Sequence, residues 1–154
     1  MYKRILVPVD GSPTSELGLA EAIKLAQLTG AQLTLLHVVD EAAVALLPEA
    51  AASASNVFDV MRATGGEILG KAKLDAQKAG VSAEPVLLDT ASGRVSELVV
   101  EQASKHRADL IVMGTHGRRG VGRMLLGSDA EQVLRNAPVP VLLVRAREDA
   151  HEHA

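Results

Sequence analysis

The chain contains no cysteine and no tryptophan, and its whole aromatic complement is one tyrosine and one phenylalanine. Without cysteine there are no disulfides, thiol nucleophiles or thiolate metal sites. The scarcity of aromatics removes the stacking platforms that hold single-stranded nucleic acid. It also leaves only Tyr2 and Phe58 to cover a flavin. No apolar run approaches the roughly 20 residues of a membrane span. The opening Met1-Tyr2-Lys3-Arg4 leads into a short apolar run and Pro8, which lacks the apolar core of a signal peptide. Neither sign of charge dominates: 16 Lys and Arg face 19 Asp and Glu, a formal net charge of -3. That balance favours neither DNA nor an anionic membrane. The expectation is a cytoplasmic protein with no nucleic-acid or membrane partner.

What is present is an ordinary globular mixture of 154 residues, 47% hydrophobic and 23% charged. One domain of that length buries roughly 70% of its unfolded surface. Residues 1–146 are read as that domain and 147–154 as a flexible polar tail. Short apolar runs alternate with helical patterns. Ile5-Leu6-Val7-Pro8-Val9 reads as a strand ended by Asp10-Gly11-Ser12-Pro13, where Ser12 caps a helix and Pro13 fills its first turn. Leu19, Ala22, Ile23 and Ala26 carry that helix to Gly30.

Further strands are read over Leu33 to Val39, Val86 to Leu88, Leu110 to Met113 and Val139 to Val144. Helices are read up to Ala79, around Val95, Leu98 and Val99, and around Ala130, Val133, Leu134 and Ala137. The alanine-rich stretch from Glu41 to about Asn56 reads as a loop or irregular helix.

Five strands separated by helices indicate an α/β fold, a parallel, doubly wound, Rossmann-like sheet with helices on both faces. The strands are nearly continuous apolar runs, as burial on both faces requires. Pro85 and Pro140 cannot donate to a ladder, which sends strands three and five to the edges. The order 3-2-1-4-5 satisfies that and sets strands one and four side by side. Ligands bind beyond the strand C-termini at such a switch point. Asp10 leaves strand one there, and strand four empties into Gly114-Thr-His-Gly117-Arg-Arg-Gly120-Val-Gly122-Arg-Met-Leu-Leu-Gly127-Ser128. Glycines admit close approach of backbone N–H groups to an anion, and a helix start adds unpaired donors and a positive dipole end.

Gly114, Gly117, Gly127 and Ser128 fit the spacing Gly-x2-Gly-x9-Gly-Ser without a gap. With the Val7-Pro8-Val9-Asp10 opening, Leu36-His37-Val38-Val39 and the Pro138-Val139-Pro140-Val141 close, the chain resembles the nucleotide-binding members of the universal stress protein family. The resemblance implies ATP with Mg²⁺, homodimerisation, and a regulatory role in stress with hydrolysis that is slow at most. Its protein partners are unnamed by the sequence. It places the triphosphate at Gly117, Gly127 and the Ser128 backbone. Asp10 falls beside ribose or metal, and the Val38 backbone at adenine. Pro8, Val9 and Met113 become apolar walls, equally readable as core.

Arg118, Arg119 and Arg123 are accessory phosphate candidates, and His116 is a contact candidate without a catalytic role. The residues leave other readings open. Ser128-x-x-Glu131 fits a capping box, and Asp10 fits an acid flanking a helix start. His37 reads as a structural histidine. The apolar edge Val139 to Val144 is the expected dimer seam.

Three competitors are weaker. An ATP-cleaving or nucleotidyl-transfer enzyme wants a serine- and glycine-rich loop after strand one, which Asp10-Gly11-Ser12-Pro13-Thr14-Ser15 imitates poorly. A receiver domain wants clustered acids, and Asp10 reads as alone, without a second carboxylate beside it. Gly65-x4-Gly70-Lys71-Ala72 nearly spells a P-loop, but Ala72 replaces the magnesium-binding hydroxyl and the surroundings read as helix. His151 and His153 flank Glu152 on a flexible end, which does not make a metal site.

Overall fold

A computed structural model describes residues 1–42, 56–91, 94–115 and 126–146. The first strand, β1 (Arg4–Pro8), is followed by α1 (Pro13–Thr29), β2 (Gln32–Asp40), α2 (Val57–Lys78) and β3 (Ala83–Thr90). Then come α3 (Val95–Lys105), β4 (Leu110–Gly114), α4 (Ser128–Asn136) and β5 (Val141–Val144). All strand pairs are parallel, in the order β3-β2-β1-β4-β5. This is the doubly wound sheet expected from the alternation of apolar runs.

The sheet is covered on both faces because its central strands carry apolar residues at successive positions. Ile5, Leu6 and Val7 of β1 are all fully buried. Alternation sends Ile5, Val7, Leu33, Leu35 and Val112 to one face, against Leu19, Ala22 and Ala26 of α1 and Leu69, Ala72 and Ala76 of α2. Leu6, Leu36, Ile111 and Met113 face the other way, onto Val99 and Ala103 of α3 and Ala130 and Val133 of α4. Burying a side chain such as Leu6 contributes about 1.5–3 kcal/mol.

Local signals set the helix ends. Ser12 has extended backbone and accepts from Ser15 N–H, Pro13 occupies the first turn of α1, and Gly30 closes it at φ 76°. Gly80, at φ 75°, turns the chain after α2. Where α2 starts, the Arg62 guanidinium reaches Asp89 on β3 at 3.0 Å and Glu41 at 3.4 Å. That ties the helix to the C-terminal ends of β2 and β3.

Several boundaries differ from the sequence reading. The third strand runs from Ala83 to Thr90 and pairs along its length with β2, with Pro85 inside it opposite Leu35. An edge strand tolerates the missing N–H. The fifth begins at Val141 rather than Val139, after Pro140. The fourth helix ends at Asn136, with Leu134 half exposed rather than on the core face. Residues 43–55 of the alanine-rich stretch and the tail 147–154 lie outside the described residues. The near P-loop is helix: Gly65 and Ala72 are buried in α2, and Lys71 pairs with Glu16 at 3.1 Å.

Candidate functional site

The C-terminal edge of the sheet is built around one peptide group. Val9 N–H donates to Leu36 O at 2.8 Å, continuing the register of β1 past its last ladder residue. The Val9 carbonyl lies 2.8 Å from His37 Nδ1. A carbonyl only accepts, so the proton of this pair sits on Nδ1. The other side of the same peptide, Asp10 N–H, donates to Ser15 Oγ at 3.0 Å. Side chains from two different elements therefore fix the Val9–Asp10 peptide at both poles. His37 is buried, and a Cβ on Gly65 of α2 would stand only 2.6 Å from its ring. Gly65 is the notch that admits the imidazole, and His37 is a structural histidine with a positioning task.

Asp10 then folds the chain into α1. Its Oδ1 accepts from Ser12 N–H at 2.8 Å across Gly11, which holds φ 82°. Both the carboxylate and the hydroxyls of Ser12 and Ser15 are thus engaged in the turn.

The exit of β4 is equally constrained. A Cβ on Gly114 would lie 2.6 Å from Thr14 O, so the first glycine of the spaced series serves the packing of α1 against the strand end. Thr115 N–H donates to Val144 O at 3.0 Å, and Gly127 N–H donates to Thr115 O at 2.8 Å. The chain leaves at residue 115 and returns at residue 127 to the same point. His116, Gly117, Arg118, Arg119 and Arg123 lie outside the described residues. Thr115 is 5% exposed, and its Oγ1 is the one buried side-chain atom without a hydrogen-bond partner among the described residues. Sequence reading missed it, since a threonine beside glycines carries no signal of its own.

The helix beyond corrects one expectation. Ser128 is the first residue of α4 rather than its cap; Gly127 occupies the cap position, and no side chain closes the end. The capping box fails because the register is shifted by one residue, and Glu131 pairs instead with Arg135 at 2.8 Å. The first N–H groups of a helix have no partner inside it, which leaves those of Ser128, Asp129 and Ala130 as donors at the start of α4. Gly127 N–H is engaged with Thr115, which moves the donor set one residue into the helix.

Asp10 is also not alone. Burial pushes the Asp129 carboxyl above its ordinary range, and the charges of Asp40 and Asp10 add to that. Asp40 ends β2 and Asp129 opens α4, so the sheet order brings together acids that are far apart in sequence. Among the described residues, no three His, Cys, Asp or Glu side chains are grouped to hold a metal by themselves.

The apolar candidates divide between the faces. Met113 is buried on the α3 and α4 side, and Val38 packs against the same cluster. Pro8 shares that face by strand alternation, the face from which α4 approaches. Val9 points the opposite way, into the layer of α1 and α2, so its side chain is not a wall on that side.

The family profile described as universal stress protein family matches residues 1–145. The chain belongs to the universal stress protein family. Universal stress protein MJ0531 of Methanocaldococcus jannaschii is 39% identical over 145 residues, 94% of this chain and 83% of that protein. Among solved structures, hypothetical protein MJ0577 superposes with a TM-score of 0.84 at 28% identity, covering 97% of this chain and 99% of the other. A universal stress protein in complex with cAMP gives 0.69 at 26% identity over 94% of this chain and 97% of the other. The universal stress protein from Archaeoglobus fulgidus in complex with dAMP gives 0.66 at 26% over 93% and 98%. This universal stress protein shares their fold, and no helix among its described residues is long and apolar enough to cross a membrane.

Proposed function

We propose that residues 1–146 form one unit that binds ATP at the C-terminal edge of the sheet and acts as a nucleotide-dependent regulator in stress. The observation that carries this reading is the unpartnered Thr115 Oγ1, 5% exposed beside the start of α4. A buried hydroxyl without a partner costs about 1–3 kcal/mol, a cost a phosphate oxygen removes. The N–H groups of Ser128, Asp129 and Ala130 supply further donors and the positive end of the helix. By its likeness to nucleotide-binding members, the spacing of Gly114, Gly117 and Gly127 supports a phosphate loop here, Gly114 admitting α1 against the strand end, with His116 and Arg118 as accessory contacts. Val38 offers backbone to adenine, with Pro8 and Met113 at its side; Val9 contributes backbone only.

The cAMP and dAMP complexes of relatives support an adenine nucleotide. The glycine spacing, through its likeness to nucleotide-binding members, supports the triphosphate. Asp129 senses the charges of Asp40 and Asp10 at this edge. A polyanion entering there needs a countercharge, which magnesium carried on the phosphates supplies. Asp10 would stand nearest to it. Hydrolysis is slow at most in this reading, in which Asp10 helps form the turn into α1 and is given no catalytic part. Strand β5 lies at the sheet edge with Leu142 38% exposed, which supports pairing with a second copy along residues 141–144.

The test is to denature purified protein, identify the released small molecules by mass spectrometry, and titrate emptied protein with ATP and Mg²⁺ by calorimetry. An adenine nucleotide in the extract, or micromolar binding at about −8 kcal/mol, is expected. Neither nucleotide in the extract nor heat on titration would sink the proposal.

A further inference from the structure

At the opposite edge of the sheet, where β1 and β2 begin, Arg4, Thr34, Glu84, Lys105, His106 and Arg107 line a cleft of about 350 Å³. Its lining is polar throughout, with buried Thr34 contributing a hydroxyl. Three cations stand against one carboxylate, a formal excess of +2 in a chain whose net charge is -3. Elsewhere, Lys24, Arg62, Lys71 and Arg135 each reach a carboxylate. Among the described residues, Arg4, Lys105 and Arg107 form no such ion pair, as is also true of Lys3, Lys73, Lys78 and Arg94; what sets the three apart is that they line one cleft.

Arg107 is also conformationally out of place. Helix α3 ends in a Schellman turn, with Arg107 N–H on Ser104 O at 3.1 Å and Ala108 N–H on Ala103 O at 2.9 Å. The turn requires a left-handed residue, and α1 and α2 supply glycine for it, Gly30 at φ 76° and Gly80 at φ 75°. The third helix uses Arg107 at φ 53°, the one non-glycine residue with positive φ among those described. The Cβ that glycine lacks makes that conformation strained, and such strain persists where the side chain has a task. The negative pole of α3 attracts cations and accounts for Lys105. It does not call for an arginine in the glycine position, nor for Arg4, which comes from β1.

We propose that this cleft binds a small polyol phosphate, such as a sugar phosphate. A phosphate monoester carries about −1.5 to −2 near pH 7, which matches the excess charge of the lining. Guanidinium forks from Arg4 and Arg107 suit its oxygens, with Lys105 as a point charge. Glu84 and Thr34 offer hydrogen bonds to hydroxyls, and His106 is held in place by Gln102 at 3.1 Å. Apart from the His106 imidazole the lining has no aromatic side chain and no apolar one to hold a base, which separates this ligand class from the nucleotide of the other edge.

Calorimetry with ribose 5-phosphate, ribose and inorganic phosphate tests it on the full chain. Binding of ribose 5-phosphate at about 0.1–1 mM is expected, unaffected by ATP, with no heat from ribose and weaker binding of inorganic phosphate. Arg107→Gly is expected to weaken ribose 5-phosphate about tenfold while the Tm holds or rises by roughly 2–4 °C. Adding Arg4→Gln and Lys105→Gln abolishes the heat. No binding at about 10 mM overturns the proposal, and so does undiminished binding in the triple variant. Displacement by ATP would move the ligand to the other edge and overturn it too. Inorganic phosphate binding as tightly as ribose 5-phosphate overturns the polyol assignment, and a lower Tm in Arg107→Gly overturns the strain argument.

Discussion

The two edges of the sheet carry opposite charge and build their features from different material. Asp10, Asp40 and Asp129 gather at the C-terminal edge, where α1 and α4 begin. Arg4, Lys105 and Arg107 gather at the N-terminal edge, where α3 ends. Each set opposes the sign of the helix poles beside it, which offsets part of the cost of gathering like charges. The C-terminal edge offers an anion backbone N–H groups and a buried hydroxyl, set among carboxylates that repel it. The other edge offers side-chain cations, with Thr34 and Glu84 beside them. In the proposals above, an anion is held at the first by geometry and countercharge, and at the second chiefly by side-chain charge.

The sharpest way to break that comparison is Gly117→Val. Added bulk in the loop is expected to lower ATP affinity by more than about 100-fold, as exclusion of a phosphate from its backbone donors implies. The thermal midpoint and ribose 5-phosphate binding are expected to stay put. Equal ATP heats from the variant and wild type would mean that the loop holds no phosphate.

Next in size is the removal of magnesium. With chelator present, ATP affinity is expected to fall by about tenfold or more, since a polyanion then meets the three carboxylates uncompensated. The N-terminal edge should not respond. ATP titrations that are indifferent to magnesium would contradict the assigned role of the acids.

Thr115→Val follows. It replaces the unpartnered hydroxyl by a methyl of similar size. Stability is expected to rise by about 1 kcal/mol in urea unfolding while ATP binding weakens about fivefold to tenfold. A purely structural threonine would leave the ATP affinity unchanged.

The smallest effect belongs to Asp129. Its carboxyl is raised above the ordinary 3.8, chiefly by burial and then by Asp40 and Asp10. A carboxyl raised in the folded state favours folding while protonated. That contribution is complete below the unfolded value and disappears as pH rises through the folded one. Asp129→Asn is thus expected to be more stable than wild type at neutral pH, the gap closing below pH 3.8. A gap that widens on acidification would reverse the sign of this reading.

The sheet order was legible because Pro85 and Pro140 admit few positions and because the strands are apolar at successive residues. Asp10 and Gly114 were legible for the same reason, as both follow strand ends. What escaped depends on distances that one strand cannot encode. The approach of Asp40 and Asp129 to Asp10 exists only after β2, β1 and α4 are assembled. The misplaced cap at Ser128 turned on a shift of one residue, within the uncertainty of any helix boundary. Thr115 and Arg107 were silent for a different reason: an unpaired hydroxyl and a strained φ are properties of conformation, with no signature in residue type. By contrast, the opposite facing of Pro8 and Val9 follows from strand alternation alone.

The central claim is that nucleotide occupies the C-terminal edge between β1, β4 and α4. Hydrogen–deuterium exchange with and without ATP and Mg²⁺ tests it most directly. The account expects slowed exchange at Asp10, Val38, Thr115 and the first turn of α4, with Arg4 and residues 105–107 unchanged. Protection confined to the N-terminal edge, or none at Thr115 and Ser128, would contradict it.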